Sequence, residues 1–239
     1  MSVKKAKVLT ITSVKGGTGK STFTLCLAGA LSNNQKRTVI LDLDLSSGVI
    51  APTLNIKQTN DVYTLTDDMA NGRYDSLDKY IYKYNEYIDI IPSTNDPRNA
   101  LKIYPGYIEN LIKQLEYKYD VVLIDTNHVI NNINLTLLDV STTIMYIISD
   151  DIMDLKNMKT MLSIYEDMNI DKYKLVLNNS LRKSIGKYEV KTVLEKDVDY
   201  IIPNSFYEKN IQKYVYDGKI LTLEKNDKTF NQIAQDILR

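Results

Sequence analysis

A glycine-rich segment between an apolar run and a helical pattern constrains the fold of this chain more than any other feature. Residues 13–22 read SVKGGTGKST, after the apolar residues 8–11 and before the largely apolar residues 23–28. Glycines at 16, 17 and 19 let the backbone curl so that successive N–H groups point inward, and a helix that begins there adds the positive end of its dipole. The sequence therefore predicts a strand, a phosphate-binding loop and a helix that begins near Lys20.

We expect the loop to hold a nucleotide polyphosphate. Lys20 would reach the β- and γ-phosphates, and the Ser21 hydroxyl would bind a Mg²⁺ ion that bridges them. Val14 stands where the usual pattern has its first glycine, and an additional lysine, Lys15, stands inside the loop. The predicted phosphate-binding residues are Gly16, Gly17, Thr18, Gly19, Lys20, Ser21 and Thr22.

Residues 15–21, KGGTGKS, resemble the deviant Walker A motif of the ParA/MinD ATPases, in which one loop carries two lysines. In that family the first lysine crosses a dimer interface and contacts the phosphates of the partner's nucleotide. The resemblance implies that Lys15 is catalytic in trans, in the manner of an arginine finger, and that homodimerisation on ATP binding is coupled to hydrolysis. The alternative for Lys15 is a solvated loop lysine.

Two further segments supply the carboxylates that such a site needs. Residues 39–45, VILDLDL, resemble the Walker A′ motif, so Asp44 is expected to position the attacking water and Asp42 to contact the metal or the water. The alternative is that both acids cap the turn. Residues 119–126, YDVVLIDT, have the four-apolar-then-Asp form of Walker B, which makes Asp125 the expected Mg²⁺ contact.

Where the family has a Thr-Pro-Pro or Thr-Pro-Gly turn in switch II, this chain has Thr126-Asn127-His128. We expect the missing prolines to affect the rate of hydrolysis more than the binding of the nucleotide. His128 is the only histidine and no cysteine stands near it, so a zinc site is not expected. We expect a turn histidine there, with a switch contact as the alternative.

The second half of the chain is similar to the part of the family that holds the base. Asn178 ends the run KLVLN at the place where the family reads adenine with a side-chain amide, and a strand-end turn former is the alternative. Residues 201–205, IIPNS, resemble the Ile-Pro-Asn-Asp segment that flanks the base, which adds Pro203 to the predicted site. Both segments favour ATP over GTP.

Strand-like apolar runs alternate with helical patterns along the whole chain. Because most of these runs are continuous, they are typical of strands buried on both faces. The sequence predicts one α/β domain over residues 1–239, a three-layer P-loop NTPase fold whose mostly parallel β-sheet is covered by helices on both faces. The runs are residues 8–11, 39–43, 88–91, 121–124, 143–148, 174–177 and 200–202.

Three segments resemble the CpaE/TadZ pilus-assembly branch of the family. They are residues 87–97, residues 155–158, and residues 202–204 taken together with 215–221. The resemblance implies a slowly hydrolysing dimeric switch ATPase that positions or assembles a cell-surface machine with a protein partner of a pilus or secretion system. Many members of that branch carry a receiver-like domain before the ATPase, and we expect that role to be absent or supplied by another protein.

Charge and hydropathy weigh on the alternative roles. The charges of thirty basic and thirty acidic residues cancel, so DNA is the less favoured partner. A ParA-like partition ATPase remains the alternative. Its candidate basic patch consists of Arg182, Lys183 and Lys187. A nucleotide-gated scaffold with little turnover is a further alternative.

The sequence predicts no direct insertion into a membrane. The C-terminal residues 230–239 carry one cation, unlike a MinD-type membrane helix, and no signal peptide or run of about 20 apolar residues is present. We expect a cytoplasmic protein that reaches the pole or the membrane only through a partner. Cys26, the single cysteine, is expected to pack in the core.

Overall fold

The computed structural model describes residues 5–179, 185–207 and 211–239. Within these residues the strands form a single sheet in the order β3-β4-β2-β5-β1-β6-β7-β8. The strands are β1 Lys7–Thr12, β2 Thr38–Leu43, β3 Tyr82–Lys83, β4 Ile88–Ile91, β5 Val121–Thr126, β6 Thr143–Ser149, β7 Tyr173–Asn178 and β8 Tyr200–Ile202.

Helices connect nearly all of these strands. They are α1 Lys20–Asn33, α2 Ile50–Thr53, α3 Val62–Ala70, α4 Pro105–Glu116, α5 Asn132–Val140, α6 Ile152–Asp167, α7 Lys187–Leu194, α8 Asn204–Tyr207, α9 Ile211–Tyr216, α10 Leu221–Glu224 and α11 Lys228–Leu238. Two short 3-10 helices, Leu77–Tyr80 and Pro97–Lys102, complete the set in the described ranges. Four of the described α-helices begin after a side-chain cap, because backbone N–H groups of their first turns donate to Asp61, Asn131, Asp151 and Asp227.

Both faces of the sheet are buried, as the continuous apolar runs predict. In β5, Val121 and Leu123 pack into the cluster beneath α1 and α11, while Val122 and Ile124 pack on the opposite face beneath α3 and α4. A third cluster lies where α6 and α7 cover β6 and β7. The predicted three-layer α/β fold with a mostly parallel sheet is confirmed.

The seven predicted strands all form, and β3 is an eighth that the apolar pattern does not indicate. It pairs antiparallel with β4 at one edge of the sheet, whereas the other neighbouring strands pair in parallel. Cys26 is buried in the cluster around α1, and α11 covers that cluster through Phe230 and Ile233. In the ranges that the structure describes, every helix is too short or too polar to cross a membrane.

The parallel strands deliver their carboxyl ends to one edge of the sheet. The central strand β1 lies between β5 and β6, so the segment after Thr12 emerges between the ends of β5 and β6. Open α/β sheets bind ligands in the crevice outside these strand ends. The predicted site residues lie in the last residues of β1, β2, β5, β7 and β8 or after them, and the topology therefore brings them to the same edge.

Candidate functional site

The glycine-rich loop forms a tight turn between β1 and α1. Gly17 and Gly19 adopt φ values of +76° and +90°, which side chains with a Cβ rarely accept. A Cβ at Gly19 would also lie 2.6 Å from Asn178 Nδ2. The Thr18 hydroxyl is buried and has no hydrogen-bond partner among the residues that the structure describes. A buried polar atom left without a partner in a loop of this shape indicates a polar ligand.

Lys20 is the first residue of α1, and its side chain turns back beneath the loop. Its Nζ donates to Ser13 Oγ at 3.0 Å, and Ser13 Oγ in turn donates to the Lys15 carbonyl at 2.6 Å. Burial lowers the pKa of Lys20, while the charges of Asp125, Asp44 and Asp154 oppose that shift. The ammonium group is thus held in place in a partly desolvated, acid-lined setting.

Asp125 is the last but one residue of β5, lies beside the start of α1 and is completely buried. It accepts hydrogen bonds from Ser21 Oγ at 2.5 Å and from Thr24 Oγ1 at 3.2 Å. Burial raises the pKa of Asp125 to about 6, although its contacts with Ser21, Lys20 and Thr24 act in the opposite direction. A hydroxyl and a carboxylate side by side form the oxygen donor set that Mg²⁺ prefers.

Asp42 and Asp44 diverge as the chain leaves β2. Asp42 is buried next to Asp125 across the β2–β5 pair, and its carboxylate accepts from the backbone N–H groups of Asp44 and Ile50 at 3.1 and 3.2 Å. Burial and the neighbouring Asp125 charge raise the pKa of Asp42. Asp44 is half-buried and caps the following turn by accepting from Ser47 N at 3.1 Å. Both acids therefore shape this loop, which is the alternative that the sequence left open, and their roles toward metal and water stay predictions.

Lys15 lies on the surface of the loop, with 46% of its side chain exposed. Its Nζ is 3.7 Å from Asp151 Oδ1, the carboxylate that caps α6. In the single chain this lysine is paired within its own molecule and is not a fully solvated side chain. Its predicted action in trans remains a prediction.

The residues predicted at the base lie at the ends of β7 and β8. Asn178 is buried, and its Nδ2 donates to the Thr18 carbonyl at 2.7 Å while its Oδ1 accepts from the Tyr207 hydroxyl. Pro203 is exposed directly after β8. The amide of Asn178 is thus tied to the phosphate loop, which the sequence did not indicate.

The switch II segment is shaped by an asparagine in place of the family's prolines. Asn127 Oδ1 accepts from Val129 N at 3.1 Å and from Asn134 Nδ2 at 3.0 Å. His128 is exposed, but its ring lies 3.4 Å from the position that a Cβ on Gly16 would take. The His128 ring therefore lies beside Gly16 of the loop, and a switch role for it stays a prediction.

Three residues around the site were not singled out from the sequence. Ser13 and Thr24 hold Lys20 and Asp125, and buried Asp154 accepts from the backbone N–H and the hydroxyl of Ser149 at 2.7 and 2.6 Å. Asp154 Oδ1 has no hydrogen-bond partner in the described part of the chain. The acids that follow β6 could have been found by the rule that strand ends at this edge carry site residues. Ser13 and Thr24 have no comparable sequence signal.

These residues fit a magnesium-bound polyphosphate better than a metal bound by protein alone. In the part of the chain that the structure describes, no group of three or more His, Cys, Asp or Glu residues is placed to hold a metal ion. Ser21 and Asp125 supply oxygen donors on one side only, so the remaining ligands would come from phosphate and water. The Thr18 hydroxyl belongs to the loop that would hold those phosphates.

Comparison with known proteins identifies the family. Residues 6–183 match the family described as AAA domain. An uncharacterized ATP-binding protein of Methanocaldococcus jannaschii is 23% identical over 97% of this chain and 86% of its own length. The septum site-determining protein MinD of Synechocystis is 30% identical over 50% of this chain, but the aligned region is only 44% of that relative.

Solved structures share the fold over nearly the full length. A ParA family ATPase from Chlorobium tepidum superposes with a TM-score of 0.84 at 21% identity, covering 98% of both chains. The septum site-determining protein MinD of Pyrococcus horikoshii, solved with Mg-ADP, gives 0.78 at 21% identity, covering 98% of this chain and 94% of its own. The chain therefore belongs to the family described as AAA domain, and it shares its fold with the ParA and MinD structures.

Proposed function

We propose that this chain binds Mg-ATP at the phosphate loop and acts as a slow, dimeric switch ATPase. The observation that carries the proposal is the cluster formed by Lys20, the Ser21–Asp125 pair and the partnerless Thr18 hydroxyl at the carboxyl edge of the sheet. An anion held by backbone N–H groups and Lys20, next to an oxygen donor pair for Mg²⁺, is the arrangement that phosphoryl transfer requires.

Each site residue has a part in this proposal. Ser21 and Asp125 would hold a magnesium ion, with buried Asp42 as a second acid beside Asp125. Bound Mg²⁺ would neutralise charge on the phosphates. Asp44 positions the attacking water, and Lys15 leaves Asp151 to reach the nucleotide of a second copy. The dimer therefore completes the site, and hydrolysis follows dimerisation.

We further propose a role in positioning or assembling a cell-surface machine through a protein partner, with recruitment to the pole or membrane by that partner. This role rests on the three segments that resemble the CpaE/TadZ branch. The relatives support positioning more broadly, because they include a septum site-determining protein and, at 26% identity over 50% of this chain, the chromosome partitioning protein ParA of Myxococcus xanthus. A partition ATPase is therefore the second candidate, and neighbouring genes for a secretion ATPase or for a centromere-binding protein would distinguish the two.

Replacing Lys20 tests the binding proposal directly. Lys20→Ala removes the charge-assisted contact to the phosphates, and we expect it to abolish binding of a fluorescent ATP analogue in the presence of Mg²⁺. The matched control Lys57→Ala removes an exposed lysine outside the site and should bind as the parent does. Unchanged affinity of the Lys20 variant would refute the site. Phosphate release by the parent then separates a slow switch from a scaffold with little turnover.

A further inference from the structure

A chain of hydrogen bonds joins the phosphate loop to the segment after β8. The Tyr207 hydroxyl donates to Asn178 Oδ1, and Asn178 Nδ2 donates to the Thr18 carbonyl at 2.7 Å. A carbonyl oxygen can only accept, so the nitrogen of the Asn178 amide must face Thr18. The oxygen must then face Tyr207. The two contacts together fix which way the amide points.

Tyr207 is well placed to restrain that amide. It ends the short helix α8, packs against the cluster around α1, and meets the ring of Phe206 edge-on with ring centroids 5.4 Å apart. Burial raises the pKa of the Tyr207 hydroxyl, so the group stays protonated and donates at neutral pH. The hydroxyl also lies 3.8 Å from the position of a Cβ at Gly19, directly beside the loop.

An amide held in this way keeps half of its hydrogen-bonding capacity. Asn178 has two N–H donors and two acceptor lone pairs, and Thr18 and Tyr207 use one of each. Within the described residues, one N–H and one lone pair of this amide remain. A side-chain amide of this kind matches the amine and ring nitrogen of adenine, whereas guanine presents two acceptors along the same edge.

Two further acceptors near this point lack partners among the described residues. The side-chain oxygens of Asn179 and Asn204 are shielded from solvent and make no hydrogen bond within residues 5–179, 185–207 and 211–239. They follow the ends of β7 and β8, which are joined there by the bond from Asn179 N to the Ile202 carbonyl at 3.1 Å. Buried acceptors without partners favour a ligand that donates. The exocyclic amine of adenine donates, while the corresponding oxygen of guanine does not.

We propose that Tyr207 is a positioning residue that orients Asn178 for adenine and couples base recognition to the phosphate loop through Thr18. This inference rests on the proposed nucleotide binding and names the residue that sets its base preference. Tyr207 acts through Asn178 and need not contact the base. Removing the Tyr207 hydroxyl should therefore lower the affinity for nucleotides whose base bonds to the oriented Asn178 amide. Nucleotides whose base does not use that amide should lose little affinity.

The test compares nucleotides that differ only in the base. Dissociation constants are measured for ATP, GTP and purine riboside triphosphate, which lacks the adenine amine, on the parent and on Tyr207→Phe. Losing one neutral hydrogen bond corresponds to roughly a 3- to 10-fold change in affinity. We expect that loss for ATP and little or no loss for GTP and purine riboside triphosphate. The matched control Tyr200→Phe removes a hydroxyl that donates to Asp236 at 3.2 Å, and it should change none of the three.

The outcomes distinguish a failure of the Tyr207 inference from a failure of the proposed nucleotide binding. A parent that binds no nucleotide overturns both. A parent that binds all three equally, or a Tyr207→Phe variant with parental affinities, overturns the inference alone. Equal losses for all three nucleotides would make Tyr207 a structural residue and would also overturn it. Retained GTP binding shows that the variant is folded, and its melting temperature checks this independently.

Discussion

Asp125 is a site residue whose buried charge lowers the free energy of unfolding. It is completely buried, and its pKa of about 6 in the folded chain exceeds the value near 3.9 that is usual for an aspartate in an unfolded one. Because the folded state binds the proton more readily, the free energy of unfolding decreases as the pH rises from about 4 to about 6. Above that interval the full cost of the buried charge is present.

Replacing Asp125 by asparagine should therefore stabilise the nucleotide-free protein. We expect Asp125→Asn to raise the free energy of unfolding at pH 7.5 by about 1–3 kcal/mol, because a shift of about two pKa units is involved. Urea unfolding at several pH values should also show a shallower slope between pH 4 and 6. Buried Asp42 keeps part of that slope.

The control Asp120→Asn removes an exposed carboxylate just before the same strand and should leave this pH dependence as it is. If Asp125→Asn were less stable than the parent at pH 7.5, the burial cost assigned to Asp125 would be wrong. A variant that is more stable but no longer binds Mg-ATP would indicate a carboxylate retained for function at the expense of stability.

The sequence could predict the motif residues of the site but not the side chains that hold them. Lys20, Ser21 and Asp125 lie in motifs whose spacing specifies a chemistry. Ser13, Thr24 and Tyr207 are common residue types, and their contacts come from other turns or elements of the fold. The bond between Tyr207 and Asn178 joins residues 29 positions apart, so no local pattern contains it.

At the scale of elements, strands with long apolar runs can be predicted from the sequence, whereas short strands cannot. The strand β2 is buried at all six positions and is evident from its sequence. The edge strand β3 has two residues and forms because Tyr82 and Lys83 pair with Ile90 and Asp89 of β4. Its existence depends on a neighbour and not on its own pattern. The region of residues 59–99, the least regular part of the sequence, contains this strand together with α3, the 3-10 helix Leu77–Tyr80, β4 and the start of the 3-10 helix Pro97–Lys102.

The contact between α1 and α10 depends on a glycine in the middle of a helix. A Cβ on Gly29 would lie 2.2 Å from Thr222 Oγ1 and 3.3 Å from the backbone nitrogen of Leu223. The Thr222 hydroxyl also donates to the Cys26 carbonyl at 2.7 Å, so it is not free to move. Glycine in a helix ordinarily costs about 1 kcal/mol relative to alanine, and close packing explains its presence here.

We therefore expect Gly29→Ala to destabilise the protein although alanine is the better helix former. Overpacking of this kind costs about 1–3 kcal/mol, which corresponds to a decrease of roughly 5 °C in melting temperature for a chain of this size. Circular dichroism during heating measures it. The control Gly106→Ala in α4 meets only the ring of Tyr104, which is 67% exposed and can turn away. Equal effects of the two substitutions would contradict the packing argument.

At the scale of the whole molecule, the site is proposed to be complete only in a dimer. Lys15→Ala removes the lysine that would reach the second nucleotide, so we expect ATP binding by a monomer without dimerisation or hydrolysis. Asp44→Ala removes the residue that would position water while leaving the interface intact, so it should trap an ATP-bound dimer. Light scattering with and without ATP distinguishes the two variants. Parental dimerisation by both variants would refute the shared site.

The partner class of the dimer can be tested through its response to salt. A protein that binds DNA without sequence preference gains affinity by releasing counterions, so it needs clustered Lys and Arg side chains and its binding weakens steeply as salt rises. The formal net charge of this chain is zero. The basic group that its sequence offers consists of Arg182 and Lys183, which lie outside the described residues, and Lys187, which begins α7 with an exposed side chain.

We expect weak or undetectable binding of duplex DNA by the ATP-bound protein at physiological salt, because three cations per chain release few counterions. Fluorescence anisotropy of a labelled duplex, measured with ATP at several salt concentrations, gives the affinity and its salt slope. The variant with Arg182, Lys183 and Lys187 changed to glutamate is the comparison. Tight ATP-dependent binding that weakens steeply with salt and disappears in that variant would favour a partition ATPase over a pilus-type one, since only a DNA-bound dimer needs that patch.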